Sequence, residues 1–387
     1  MKVVALAAAA CLGVAAQGAL VPDASAATAT QARFGTLADG KAVAAVTLRN
    51  SHGVSATVIT YGASLQALVA PDRAGKPADI ILGYARLQDY LDKPQYFGAT
   101  VGRFANRIAK GKYSIDGVAY QAPVNNGENS LHGGTVGFDK VNWSLVAVHG
   151  GAGAGPASVE MEYVSPDGDM GYPGQLTVHA IYSLDEDDRL TITYTATTTK
   201  PTIVNVTNHS YWNLAGEGST RSINEQKLTI NAGAYLPTDA GAIPTGEIRK
   251  VDGTVFDFRR PTAIGARVRE ASDQQIVFGR GYDHNWVISR TRAAAPRVVA
   301  TVEDGVSGRK LVLSSAQPGL QFYSGNFLDG TSSGKSGHIY REGDAFVLEP
   351  QIFPDTPNQP AFGSAVLRPG ETYSNVLIYR FSADAAR

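Results

Sequence analysis

The chain is short of cysteine, of charge imbalance and of long apolar runs, and each shortage closes off a class of protein. Among 387 residues there is one cysteine, Cys11. It falls in an N-terminal stretch with the features of a cleaved leader, so a mature chain carries neither a disulfide framework nor thiolate chemistry. Lys plus Arg (34) nearly equal Asp plus Glu (35), which leaves no overall field to draw the protein to nucleic acid or to an anionic membrane surface. The expected partner is small and neutral. No HExxH, paired-cysteine or calcium-loop pattern occurs, so no metal is expected, and a metal site would have to be assembled from distant residues. No motif calls for a cofactor. No repeat of fixed period and no linker divides the chain, and no long stretch places apolar residues at helical spacing.

The first residues, MKVVALAAAACLGVAAQGALVPDASAA, combine an early lysine, an apolar stretch too short to cross a bilayer comfortably and a small-x-small site at Ala24-Ser25-Ala26. Residues 1–26 therefore read as a secretory signal, which implies an exported mature protein without a membrane anchor. Residues 27–387 read as one domain. A lipoprotein role for Cys11 is disfavoured because Ala8 stands where such a signal wants Leu.

What is abundant is strand pattern. In QLTVHAIY, Leu176, Val178, Ala180 and Tyr182 fall on one face, and RLTITYTAT does the same with Leu190, Ile192, Tyr194 and Ala196. The short link SLDEDD between them predicts an antiparallel hairpin. Similar runs recur at VSATVIT, SVEMEYV, TIVNVTN, RVVATVE, KLVLSSA, GLQFYSG and TYSNVLIYRF, separated by turn formers that include many of the 42 glycines. HGGAGAGPAS, between two such runs, reads as a loose hairpin loop. The expectation is an all-β protein, one large antiparallel β-sandwich.

Several familiar patterns fail on context. GTSSG (330–334) matches G-x-S-x-G, but the following KSGHIYREGD is no helix former, so the stretch reads as a mobile loop. GTSSGKS has its glycines one residue too close for a phosphate-binding loop, and GGAGAG precedes a strand instead of a helix.

Five stretches carry polar residues that a sandwich does not need: Asn106 and Arg107 in VGRFANRIAKG, His132 in NSLHGG, His209 beside Tyr211 and Trp212 in VTNHSYWNL, Asp283 in GYDHNWVI, and Glu349 in GDAFVLEPQIFPD. Each alone has a bland reading as a hydrogen-bonded core or turn residue. Glu349 is the oddest. It ends an apolar strand just before Pro350, and by alternation it shares a face with Val347 and not with Phe346 or Leu348.

Taken in order, GRFANRIAKG, NSLHGG, TNHSYWNL, IPTGEI, VDGTVFDFRRP, GYDHNWVI, GLQFYSGNFLDG and AFVLEPQIFPDTPNQPAF closely resemble the signature segments of the aldose 1-epimerases, or galactose mutarotases, from about residue 34 to the C-terminus. The resemblance implies a supersandwich of twisted antiparallel sheets and cofactor-independent interconversion of the α and β anomers of free aldoses such as glucose and galactose. It gives Glu349 the role of general base and His209 that of general acid. It places substrate contacts on Asn106, Arg107, His132, Tyr211, Asp283 and Gln321. Trp212 reads as core.

The chemistry needs two proton carriers, one taking the C1 hydroxyl proton while the other protonates the ring oxygen. On this reading partial desolvation raises the Glu349 pKa, Pro350 ends the strand and fixes the acid, and His209 starts the cycle protonated, as its intrinsic pKa allows near neutrality. Three rivals remain open. A glycosidase would use Glu349 and Asp283 but leaves His209 and His132 without a role. A sugar-binding sandwich would only recognise the ligand. A hexose-phosphate epimerase would want a basic cluster, for which only Arg103 stands near Arg107. The sequence carries no signal for oligomeric state.

Overall fold

The structure is a computed structural model and describes residues 26–151 and 155–384. The expected leader, apart from Ala26, lies outside the described residues.

The alternating runs form antiparallel ladders gathered into three main sheets. The largest has nine strands, in the order Ser144–His149, Ala157–Ser165, Leu176–Leu184, Arg189–Thr198, Tyr373–Ala383, Arg309–Ser315, Arg297–Glu303, Lys227–Ile230 and Thr262–Ala263. The predicted hairpin is present, with Leu184 opposite Leu190 and Leu176 opposite Thr198. Leu176, Val178, Ala180 and Tyr182 all point into the core, as a period of two requires. A six-stranded sheet runs Tyr211–Trp212, Phe346–Gln351, Gly319–Tyr323, Asp283–Val287, Ala234–Leu236 and Arg249–Lys250. Five strands from Thr28–Thr36 to Pro77–Asp79 make a third sheet. Among the described residues the α-helices are two six-residue segments, Leu87–Asp92 and Gln274–Gly279.

The six-stranded sheet matters most because its two faces differ. Trp212, Trp286, Leu320, Phe322, Phe346 and Leu348 join the main core shared with the nine-stranded sheet, where the Trp212 ring lies 5.0 Å from that of Tyr379. Trp212 is thus core, as read. The opposite face carries Val347, Tyr211 and Tyr323, packed in a separate cluster with Phe97, Tyr340 and Leu82. Glu349 shares this second face with Val347.

Three expectations need correction. Pro350 does not end its strand, which continues to Gln351 with Pro350 opposite Leu320. The Pro350 carbonyl accepts from Thr207 Oγ1 and Asn375 Nδ2, at 2.9 and 3.0 Å. Its imide nitrogen lies on that same side, where no ladder bond to the Gly319–Tyr323 strand is required, so a proline is tolerated. GTSSG is not a loop. Asp329–Ser333 pairs with Ile339–Arg341, and Lys335 ties the hairpin down through Asp79 and the Gln66 carbonyl, each at 2.7 Å. TIVNVTN splits into two short strands, Thr202–Ile203 and Thr207–His209.

The segment leading into Ala99–Val101 is pinned by packing. Gly98 has φ +68°, and a Cβ there would lie 1.9 Å from the Leu65 carbonyl oxygen. Gly98→Ala is therefore expected to cost at least about 3 kcal/mol in urea unfolding. Gly253→Ala, where φ is +71° but nothing lies within 4 Å, is expected to cost about 1 kcal/mol. Equal costs at the two sites would contradict the packing account.

Candidate active site

Strand register assembles the site. Tyr211 pairs with Val347 and Trp212 with Phe346, and continuing that register by two residues sets His209 opposite Glu349. The result is a His209 Nε2 to Glu349 Oε1 separation of 3.7 Å, with both side chains buried. On the next strand Gln321 is opposite Glu349, and beyond it Asn285 is opposite Gln321. Asp283, two residues before Asn285, shares that face. One polar row therefore crosses an otherwise apolar sheet.

The other wall comes from two loops locked together. Ser130–Leu131 pairs with Arg107–Ile108, and His132 donates its backbone N–H to the Asn106 carbonyl at 3.0 Å. In return the Asn106 backbone N–H donates to His132 Nδ1 at 3.1 Å. Both residues have positive φ, +64° for Asn106 and +50° for His132, a conformation uncommon outside glycine that surrounding structure must enforce. Gly133 is required for the approach, since a Cβ there would fall 2.0 Å from the Gly102 carbonyl oxygen. Arg107 reaches Asn126 Oδ1 through Nε at 3.1 Å and Asp283 Oδ2 through both terminal nitrogens at 3.4 Å.

These groups line a cavity of about 770 Å³, ample for a small polar ligand. Of the eight residues singled out from sequence, Asn106, Arg107, His132, His209, Tyr211, Asp283 and Glu349 line it. Gln321 does not. It is buried behind Asp283, donating Nε2–H to Asp283 Oδ1 at 2.7 Å and accepting from Asn285 Nδ2 at 3.4 Å, so it orients a carboxylate that faces the cavity. Arg103 is also remote, buried against the Pro173 and Gly174 carbonyls and Ser165. Sequence reading missed Tyr96, Tyr323, Asn126 and Phe327, all on the cavity wall, as are Lys110, Arg280, Glu128 and Asp239. Tyr323 was within reach, since it lies two residues beyond Gln321 on one strand. Tyr96 sits in a turn with no periodicity to reveal it.

Burial decides the protonation of the central pair. Desolvation pushes the Glu349 carboxyl well above its ordinary range; the Asp283 charge adds to this and Arg107 opposes it. Desolvation lowers the His209 pKa to about 4, against the raising influence of its own carbonyl and of Asp283. Burial thus works against the imidazolium that the reading of His209 as the acid needs at the start of a cycle: a fully buried imidazole loses more by leaving water charged than it gains from Asp283. Carboxylic acid plus neutral imidazole and carboxylate plus imidazolium hold the same single proton, so the pair titrates as a unit. His132 is pushed well below its usual pKa, first by burial and then by His209, Arg107 and Lys140. It is neutral, and with Nδ1 accepting from Asn106 its proton is on Nε2.

That tautomer bears on metal binding. His132, His209 and Glu349 have donor atoms all within 4.8 Å of one another, the one such grouping among the described residues. His132, however, has one nitrogen taken by the Asn106 N–H and the other bearing a proton, so it has no free lone pair for a metal and the set does not fit a three-ligand site.

An acid and an imidazole side by side, buried under a cleft walled by hydrogen-bonding side chains and tyrosines, define a proton-transfer site for a small polyol. Comparison with known proteins gives the chain's family. The family model for aldose 1-epimerase matches residues 44–380. The galactose mutarotase of Mus musculus is 45% identical over 353 residues, covering 91% of this chain and 98% of that protein. The aldose 1-epimerase of Escherichia coli K12 is 38% identical over 348 residues, covering 89% and 97%. The crystal structure of galactose 1-epimerase from Lactobacillus acidophilus superimposes with a TM-score of 0.80 at 28% identity, covering 92% of this chain and 98% of that one. The chain belongs to the aldose 1-epimerase family.

A carboxyl whose folded-state pKa is raised binds its proton more tightly in the native state than in the unfolded one. Its stability contribution is therefore full below the unfolded pKa, near 4.5, and is lost as pH rises toward the folded value. Glu349→Gln is expected to be more thermally stable than the parent at pH 8, with a smaller difference at pH 5. A difference that does not change with pH would contradict a buried carboxyl with a raised pKa.

Proposed function

We propose that the chain is a mutarotase for free aldohexoses such as glucose and galactose, with Glu349 and His209 as the two proton carriers. The observation that carries this reading is the pair itself, two complementary proton carriers 3.7 Å apart on one wall of one cavity. Arg107, Asp283, Asn106 and the His132 Nε2–H supply bonds for ring hydroxyls. Gln321 holds Asp283 in place, and Tyr211 offers an apolar face to sugar C–H groups.

A sugar whose C1 hydroxyl donates to Glu349 favours the carboxylate, and a ring oxygen beside His209 favours the imidazolium, so binding moves the shared proton onto the histidine. Glu349 then takes the C1 hydroxyl proton and C1–O1 becomes a carbonyl. The C1–O5 bond breaks, and O5 takes the proton from His209. The pair is left as carboxylic acid and neutral imidazole, the form that burial already favours. Rotation about C1–C2 presents the other carbonyl face. Reclosure returns one proton from Glu349 to O1 and one from O5 to His209, so atoms and protons balance and the two anomers use one site. For residues 1–26 the proposal is an export signal, supported by the leader pattern alone.

Polarimetry of freshly dissolved α-D-galactose and α-D-glucose tests the reading. The protein should speed the approach to equilibrium, and Glu349→Gln and His209→Asn should each lower kcat by about 10²- to 10⁴-fold. Retention of the parent rate by Glu349→Gln would rule out its role. The active form has one proton on the pair, so kcat/KM should fall as a second proton binds near pH 4, the His209 value. It should fall again as the last is lost above the ordinary carboxylate range. A flat profile from pH 3.5 to 9 would contradict the pair.

A further inference from the structure

A histidine that moves protons is normally oriented by a hydrogen bond at its second nitrogen. His209 has no such bond, because its buried Nδ1 finds no partner among the described residues. Its own carbonyl is the backbone group that acts on the ring, and that carbonyl also accepts from the Gly98 N–H at 3.1 Å. Orientation therefore falls to packing. Three rings surround the imidazole, with centroids 5.1 Å away for His132, 5.1 Å for Tyr211 and 5.6 Å for Tyr96. His132 is fixed by Asn106, and Tyr211 by its strand. Tyr96 comes from the outer wall, in the turn between the Leu87–Asp92 helix and the Ala99–Val101 strand.

Several features hold Tyr96 there. Its φ is +59°, a conformation disfavoured for an aromatic residue unless its surroundings impose it. Phe97, next in sequence, is buried among Tyr84, Tyr211 and Tyr340, and Gly98 is wedged against Leu65. The Tyr96 ring lies 4.8 Å from that of His132. The Lys140 ammonium stands 5.2 Å from its centroid and pairs with Asp139 at 3.0 Å. A small cleft lined by Tyr61, Ser64, Asp139 and Lys140 also borders Tyr96, which lines the main cavity as well. The ring thus forms a partition between the histidine pair and a charged outer cleft.

We propose that Tyr96 is a positioning residue for His209: its ring holds the imidazole against Glu349 and screens it from the outer cleft and its Lys140–Asp139 pair. This rests on the reading of His209 as the proton donor to the ring oxygen. Groups facing His209 are Glu349, His132, Tyr211 and Tyr96, with Asp283 acting from the Asp283–Val287 strand, two strands beyond that of Glu349. Of these walls, Tyr96 is the one whose removal connects the imidazole to the outer cleft.

The test compares Tyr96→Ala and Tyr96→Phe, each first shown by thermal melt to be folded, using polarimetric rates across pH and NMR titration of the His209 ring carbon and proton. Loss of the ring should lower kcat/KM about tenfold or more. It should also raise the His209 pKa from about 4 toward the ordinary imidazole value of 6.5, moving the acidic limb with it. Tyr96→Phe keeps the ring and should restore most of the rate and the low pKa. A His209 titration unmoved in Tyr96→Ala would overturn the proposal, and so would a phenylalanine variant as impaired as the alanine one, which would make the hydroxyl a substrate contact instead. If the His209 resonance moves while the acidic limb of the rate does not, Tyr96 stands as its shield and the reading of His209 as the acid fails.

Discussion

One proton shared by two groups largely withdrawn from water, on the wall of the cavity, is the constraint on which the rest of the structure depends. Glu349 and His209 are each unfavourable as isolated charges at their depth, because burial raises the carboxyl pKa and lowers the imidazole pKa, favouring the neutral form of each. The sheet must therefore carry a polar row through an apolar face, and the loops must bring enough donors and acceptors to make that row useful to a polyol. Arg107 does both, since its charge tempers the desolvation of Glu349 while its terminal nitrogens engage Asp283.

The scaffold meets this demand through register and backbone strain more than through long-range charge. Pairing of Tyr211–Trp212 with Phe346–Val347 fixes which residue faces Glu349, and a slip of one position would turn His209 into the main core. The uncommon backbone conformations at Asn106, His132 and Tyr96 cluster around the same cavity, as expected where packing forces side chains toward a ligand. Pro350 fits because its nitrogen and carbonyl both point away from the neighbouring strand.

The architecture was legible in the sequence because alternation survives in long strands. Leu176 to Tyr182 and Leu190 to Ala196 read directly, and the same rule set Glu349 on the face of Val347. The family segments led to seven residues that do line the cavity. What alternation cannot show is depth behind a face: Gln321 lies behind Asp283, off the cavity wall. Nor can it show desolvation, so His209 was given its solution pKa. Turns without periodicity hid Tyr96, and the low β-propensity of Asp329–Ser333 concealed its pairing with the short strand Ile339–Arg341, in a hairpin secured by the distant Asp79 and Gln66.

The central claim is that the protein by itself holds the proton of the pair on Glu349 with His209 neutral. Infrared difference spectroscopy between the parent protein and Glu349→Gln at pH 7 reads this directly. The account predicts a carboxylic acid C=O band lost in the variant, which gives way to carboxylate bands when a tightly bound aldose fills the cavity. A parent spectrum in which Glu349 contributes only carboxylate bands before any sugar is added would contradict it.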